Sequence, residues 1–348
     1  MHALTRRRRV RLLAALTLGV LVTGACGPAD DTTASADGPA SDPASAPAAG
    51  DAFPVTVEHA LGETTIDSEP QRVVTWGWSS QDAALALGVV PVAMPAFEYG
   101  GDDEGVLPWT REALGDNETP TILPSNGQEI PYEAIAEADP DLILALNSGL
   151  DSTEYETLSQ IAPTVAYPEK TWSTSWQDQA RLAGEALGRT AQAEKLVADT
   201  EAYLDEKAAQ YPQLDGKTFV YATEDDGQLG VYTSDDVRVS LLTDLGLEVA
   251  PYVDENATGD SFYYYVSGEL AADIESDIMV AWFDDEATAD DFASDPLFSQ
   301  NPAIARGAFA PIVGESYVMA SSAPTVLSIP WMLDDYVPQL AEAADASD

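Results

Sequence analysis

Short apolar runs alternate with amphipathic stretches along most of this chain, and the alternation changes character once, near its middle. "FPVTVEHALGETTI" (53–66) alternates apolar and polar positions about a Leu-Gly turn and predicts a hairpin. "RVVTWGW" (72–78) is a β-branched run ending in aromatics, which predicts a strand. "SSQDAALALGVVPVAM" (79–94) then reads as a helix, capped by Ser79 or Ser80 and stopped by Gly88, followed by a second strand. "YEAIAEADPDLILALNSG" (132–149) and "EYETLSQIAPTVAYP" (154–168) repeat the helix–strand step. Strands that alternate with helices imply an α/β lobe with a mainly parallel sheet.

The pattern shifts between residues 174 and 211. "WQDQARLAGEALG" and "TAQAEKLVADTEAYLDEKAAQYP" lack strands, and Ala193, Leu196, Val197, Thr200 and Leu204 share one helical face. A helix of about 20 residues is about 30 Å long, enough to cross a small lobe. Alternation resumes with "KTFVYAT", "QLGVYTS", "DVRVSLLTDLG", "ELAADIESDIMVAW" and "GAFAPIV", and the chain closes on a helix, "LSIPWMLDDYVPQLAEAA". The expected organisation is an N-terminal α/β lobe over 53–173, a bridging helical segment over 174–211 and a C-terminal α/β lobe over 212–348. A gapless repeat supports two related halves. "EAIAEADPDLILA" (133–145) and "ELAADIESDIMVA" (269–281) share Glu133/Glu269, Ala136/Ala272, Asp141/Asp277 and Ala145/Ala281. Each carries an acidic helical segment into an apolar strand.

The N-terminus changes the picture. "TRRRRVR" is a basic leader and "LLAALTLGVLVTGA" an apolar run too short for a comfortable span, so residues 1–25 read as a signal peptide. The run ends at Cys26, the single cysteine of the chain, which excludes an internal disulfide. Its place after small residues resembles a lipobox, where the cysteine is lipidated and tethers the protein to a membrane; Thr23 stands where leucine is usual. An ordinary signal peptide cut nearby is the alternative, and the paired arginines leave Sec and twin-arginine export both open. Residues 26–52, which after Cys26 hold only Pro, Gly, Ser, Ala, Thr and Asp, cannot bury enough surface to offset their ordering entropy, which predicts a disordered tether.

Charge comes next. There are 60 acidic residues against 15 Lys and Arg, a net charge of −45. Without the leader's five arginines the net is about −50. Such a surface repels phosphate backbones and excludes nucleic acid as a partner. The acidity reads either as a solvated coat suited to salty surroundings or as a field favouring cationic ligands.

Catalytic signals are sparse. Past the leader His59 is the sole histidine, and no G-x-S-x-G elbow, G-x-x-x-x-G-K-[ST] loop or post-strand G-x-G-x-x-G is present. One histidine and no usable cysteine argue against a zinc site of the usual type. Carboxylate pairs such as Asp225–Asp226 and Asp284–Asp285 could serve an envelope-anchored acid/base enzyme, but adjacent acids are expected at this composition. The expectation is therefore binding without catalysis, with no cofactor. Aromatics are the positive signal. Trp76, Trp78, Tyr99, Trp109, Tyr232, Tyr263, Tyr264, Tyr265, Trp282, Tyr317 and Trp331 fall largely at strand ends and loops, where open α/β sheets meet their ligands.

Taken in order, the leader and tether, "RVVTWGWSSQDAALALGVVPVAM", "YEAIAEADPDLILALNSG", "YETLSQIAPTVAYP", "GDSFYYYVSGE" and "LSIPWMLDDYVPQL" resemble the iron–siderophore substrate-binding lipoproteins of actinobacterial ABC importers, over nearly all of residues 53–343. The resemblance implies a bilobal class III α/β fold, two lobes joined by one long α-helix with the ligand between them. It implies a monomer, lipid-anchored on the extracytoplasmic face, that binds a ferric siderophore and delivers it to a permease pair and its ATPase. Iron is then held by the siderophore and not directly by the protein. Glu133 and Glu269 match glutamates that dock on permease arginines in relatives, and helix-start acids favoured by the dipole are the plain alternative. Arg238 matches an arginine facing the anionic iron centre, and Tyr317 a cleft position; Trp78, Tyr99, Tyr232 and Tyr263 complete the expected ligand set.

One departure bears on the ligand. Relatives that take catecholates carry arginine where this chain reads "NSG" (147–149), so a triply anionic complex is disfavoured and a neutral or cationic ferric hydroxamate fits better. The same fold could instead carry a corrinoid, haem through the Tyr263–Tyr265 run, or free ferric iron. A structural adhesin would not need the two-lobed pattern.

Overall fold

Burial on both faces, rather than one, organises the sheets. The computed structural model describes residues 52–125, 129–257 and 261–348. The leader, Cys26 and the tether through residue 51 lie outside the described residues. β1 (Val55–His59) and β2 (Gly62–Ile66) form the expected antiparallel hairpin, with His59 and Val57 turned inward. His59 Nε2 lies 3.0 Å from Thr64 Oγ1 and its Nδ1 accepts from Leu61 N, so this histidine fastens the hairpin.

The first lobe follows as β3 (Val73–Thr75), α1 (Ser80–Ala86), β4 (Ala93–Pro95), α2 (Pro108–Leu114), β5 (Thr121–Leu123), α3 (Tyr132–Glu137), β6 (Leu142–Leu144), α4 (Ser152–Ser159) and β7 (Thr164–Val165). Its five strands are all parallel, in the order β5-β4-β3-β6-β7. Successive residues serve opposite cores. Val73, Leu142 and Leu144 join one apolar cluster, while Val74 and Ile143 join another on the far face. That is why these strands read as continuous apolar runs. The expected capping of α1 is corrected here. Ser79 sits at the N-cap with φ 72°, but its hydroxyl donates to Ala323 O at 3.1 Å, and Ser80 Oγ donates to Trp76 O. A tertiary contact has displaced the local one.

α5 (Trp176–Ala186) packs back on the first lobe, so α6 (Thr190–Gln210) alone is the long connecting helix. Its 21 residues give a length of about 32 Å. On its buried face Ala193 belongs to a first-lobe core, whereas Val197 and Leu204 belong to a cluster that continues into the second lobe. The second lobe comprises β8 (Thr218–Asp225), β9 (Gln228–Tyr232), α7 (Val237–Thr243), β10 (Glu248–Val249), α8 (Pro251–Asn256), β11 (Tyr263–Ser267), β12 (Ile278–Phe283), α9 (Glu286–Ser294), α10 (Pro302–Ala305), β13 (Phe309–Val313), α11 (Glu315–Ser322) and α12 (Ser328–Ala346). Strand order is β11-β9-β8-β12-β13, with β10 beside β8; β9 runs antiparallel to both β8 and β11. The repeat survives with one difference. Glu133 opens an α-helix, whereas Glu269 lies in a 3-10 helix, Gly268–Asp273.

The lobes meet over a shared apolar cluster that contains Phe97, Leu107 and Trp109 from the first, Tyr232 and Met319 from the second, and Leu333 of α12. Polar contacts cross as well. Asp82 of α1, 0% exposed, accepts hydrogen bonds from Trp109 Nε1 (2.6 Å), Thr110 Oγ1 (2.7 Å) and Thr325 Oγ1 (3.0 Å). The same Thr325 oxygen accepts from Leu327 N and Ser328 N at the start of α12. One carboxylate thus ties α1, α2 and α12 together.

Candidate functional site

The first sheet reverses its winding between β3 and β6: β4 and β5 lie to one side, β6 and β7 to the other. Loops at such a point diverge and leave a crevice at the carboxyl ends of the strands. A cavity of about 380 Å³ opens there, within the usual range for small-molecule sites. Every strand of the sheet contributes to its wall. Trp76, Gly77 and Trp78 follow β3, and Ala96 to Tyr99 follow β4. Ser125, Glu129 and Ile130 follow β5, Gly149 and Leu150 follow β6, and Trp172 follows β7. Met319 of α11 closes the cavity from the second lobe.

Two glycines permit this shape. A Cβ at Gly149 would lie 2.5 Å from Trp172 Nε1, so only glycine leaves room for that indole. Gly100, at φ 80°, would press a Cβ to 2.8 Å from Glu315 O, and it lets the loop after β4 touch α11. There Ser316 Oγ donates to Gly100 O at 2.7 Å, Gly100 N donates to Glu315 Oε2 at 3.2 Å, and Tyr99 Oη donates to Asp284 Oδ1. Burial, then the Asp284 carboxylate, raises the Tyr99 phenol well above its ordinary pKa, so it stays a donor.

Of the six residues expected to bind ligand, Trp78 and Tyr99 line this cavity. Tyr232, Arg238 and Tyr263 form a second group on the other lobe. Trp282 Nε1 donates to Tyr232 Oη at 3.2 Å, the Tyr263 ring lies 6.2 Å from that of Tyr232, and the Arg238 guanidinium stacks 4.5 Å above it. Arg238 is already engaged, with Nη1 2.8 Å from Asp236 Oδ2 and Nε donating to Ser322 Oγ at 3.2 Å. Burial pushes the Asp236 carboxyl up, and Arg238 opposes the shift. Tyr317 stands apart from the cavity, half-buried; its hydroxyl donates to Asp335 at 2.8 Å and its ring packs 4.8 Å from Trp331. In the tyrosine run, Tyr264 turns into the core and donates to Val253 O, while Tyr265 donates to Asp225. Glu133 and Glu269 are both exposed in the first turns of their helices. Among the described residues, no group of three or more His, Cys, Asp or Glu could hold a metal ion.

Trp172 is the residue that pattern reading missed. It is 42% exposed, adopts φ 57°, and tilts against Trp78 with ring centroids 5.3 Å apart. The signal was available, since "KTWSTSW" follows β7 as "TWGW" follows β3. Glu98, Glu129 and Glu154 were likewise hidden among the many acids.

Comparison with known proteins agrees with this architecture. The family described as "Periplasmic binding protein" matches residues 73–312. The iron-uptake protein PiaA of Streptococcus pneumoniae, solved in complex with ferrichrome, is 35% identical with a TM-score of 0.77, covering 84% of this chain and 100% of that one. A periplasmic solute-binding protein of Mycobacterium smegmatis is 31% identical with a TM-score of 0.72, covering 83% and 98%. The Fe(3+) dicitrate-binding protein FecB of Escherichia coli is 26% identical over 255 residues, 71% of this chain and 78% of its own length. With two α/β lobes of the class III kind, a long connecting helix and a crevice at the sheet's switch point, the chain belongs to the periplasmic binding protein family.

Proposed function

We propose that this protein is the extracytoplasmic, lipid-anchored receptor of an ABC importer, and that it captures a preformed ferric siderophore of the hydroxamate type and hands it to the permease. Capture rather than catalysis is the role of its family. The observation that carries the reading is the tryptophan-walled cavity at the carboxyl ends of the first sheet, closed by Met319 from the second lobe. Among the described residues its lining contains no Lys or Arg, and Arg238 is neutralised by Asp236, which disfavours a triply anionic chelate. PiaA, whose structure contains the hydroxamate complex ferrichrome, supports the same choice. Cys26 would carry the lipid, Glu133 and Glu269 would meet the permease subunits, and Trp78, Tyr99, Tyr232, Arg238, Tyr263 and Tyr317 would surround or support the ligand. The protein is proposed to act as a monomer.

Tryptophan quenching tests this with ferrichrome, a ferrioxamine, ferric enterobactin and a corrinoid. Saturable quenching by a ferric hydroxamate is expected. Tight binding of ferric enterobactin alone would overturn the charge argument, and tight binding of the corrinoid alone would overturn the cargo.

A further inference from the structure

The cavity wall has a chemistry that a neutral iron chelate does not require. The Trp78 and Trp172 indoles meet at 54° and 5.3 Å, forming an aromatic corner beside Trp76. Trp172, 42% exposed beside its glycine neighbour, continues with Trp78 and Trp76 into one aromatic patch, and a contiguous exposed apolar patch marks a place where a ligand is met. Glu98 and Glu129 stand on the same wall and, among the described residues, neither is paired with a cation. Glu154 is partly committed, since its Oε2 accepts from Asp151 N at 2.9 Å within the helix cap. Arg111 and Lys170 are turned to other acids: Arg111 binds Asp102 and Glu104, each at 2.7 Å, and Lys170 lies 3.5 Å from Asp235.

Indole faces carry negative electrostatic potential, and a desolvated cation over them is held by the ring quadrupole. Carboxylates at the rim add Coulomb attraction that water screens but does not abolish. We propose that this cavity is a subsite for a positively charged arm of the ligand, an alkylammonium or guanidinium carried outside the groups that bind iron. The inference rests on the functional reading above and narrows it. The chelate is recognised by its pendant cation in the first lobe, while the second lobe faces the iron-bearing body. Glycine at 149 is then a specificity device, because it leaves room on the wall for the Trp172 indole.

The test compares ferrioxamine B, which bears a free ammonium, with its N-acetyl derivative, in which an amide replaces that ammonium and the iron-binding groups are unchanged. In the wild-type protein the ammonium form is expected to bind about 5- to 30-fold more tightly, a preference that shrinks as sodium chloride rises. In the E98Q/E129Q variant the ratio of the two affinities should fall below about threefold, with thermal melting confirming that the variant is folded. Equal affinities for the two chelates, or tighter binding of the acetylated one, overturns the subsite while leaving siderophore capture standing. An undiminished preference in the variant removes the glutamates from it. Binding of neither chelate, nor of any other ferric hydroxamate, overturns the functional reading and the subsite together.

Discussion

Tyr99 of the first lobe, on the wall of the cavity, donates a hydrogen bond to the Asp284 carboxylate of the second. Two further bonds, from Ser316 to Gly100 and from Gly100 to Glu315, lie beside it. The three form a latch between the loop after β4 and the segment around β12 and α11. A hydrogen bond to a charged acceptor contributes about 1.5–3 kcal/mol, less where water reaches it. Y99F is therefore expected to speed ligand dissociation about 5- to 30-fold, with association changed far less. Stopped-flow release from the wild type and Y99F checks this, and identical release rates would show that the latch does not hold the lobes.

Arg238 and Asp236 make a buried ion pair, with side chains 13% and 4% exposed. Removing one member of such a pair leaves an uncompensated charge and costs about 3–5 kcal/mol, whereas replacing both with neutral groups of similar volume is far milder. R238A should lower stability to urea by about that amount, and D236N/R238M by much less. If R238A is as stable as the wild type, the pair is not structural and the arginine is free to meet ligand.

Much of the architecture was legible because parallel strands buried on both faces leave long apolar runs. Val73–Val74 and Leu142–Ile143 supply opposite cores with adjacent residues, which is why their runs are continuous rather than alternating. The connecting helix was legible through Ala193, Val197, Thr200 and Leu204, all buried as their spacing requires. What escaped depends on contacts between distant segments. Ser79 was expected to cap a helix, but its hydroxyl meets Ala323, 244 residues away. The second copy of the repeat winds as a 3-10 helix, with Gly268 N bonded to Gly227 O of the β8–β9 turn. Trp172 lies in a loop without periodicity, and its place over Gly149 exists only once β6 and β7 are side by side. The cavity was legible by its chemistry, aromatic and poor in cations, but only in part by its residues.

Glu133 and Glu269 are exposed at equivalent points of the two lobes, each at the start of a helical segment. Neither is paired with a cation among the described residues, and exposed charges of one sign on two related lobes suit a partner with two opposed basic patches. The E133K/E269K variant is expected to lose iron uptake by at least about tenfold in cells, because repulsion at both contacts opposes docking. Ligand affinity, measured on purified protein, should stay within about twofold, since neither side chain lines the cavity. A fall in affinity matching the fall in uptake would move these residues from docking to ligand binding.

Asp82 links folding to pH. Burial raises its pKa from 3.8 to about 6, outweighing the hydrogen bonds from Thr110, Trp109, Thr325 and Gln81 that favour the charged form. Because the folded state holds this proton more tightly than the unfolded chain, stability from this residue is fully present below pH 3.8, declines as pH rises, and is lost above about pH 6. The difference amounts to about 3 kcal/mol. D82N cannot ionise, so urea midpoints of the wild type relative to D82N should fall as pH rises from about 4 to 6 and level off above that. The comparison cancels the remaining acids of this strongly anionic chain, which titrate alike in both proteins. Parallel pH profiles would mean that Asp82 is already ionised at pH 4, held charged by the four hydrogen bonds it receives from Trp109, Thr110, Thr325 and Gln81.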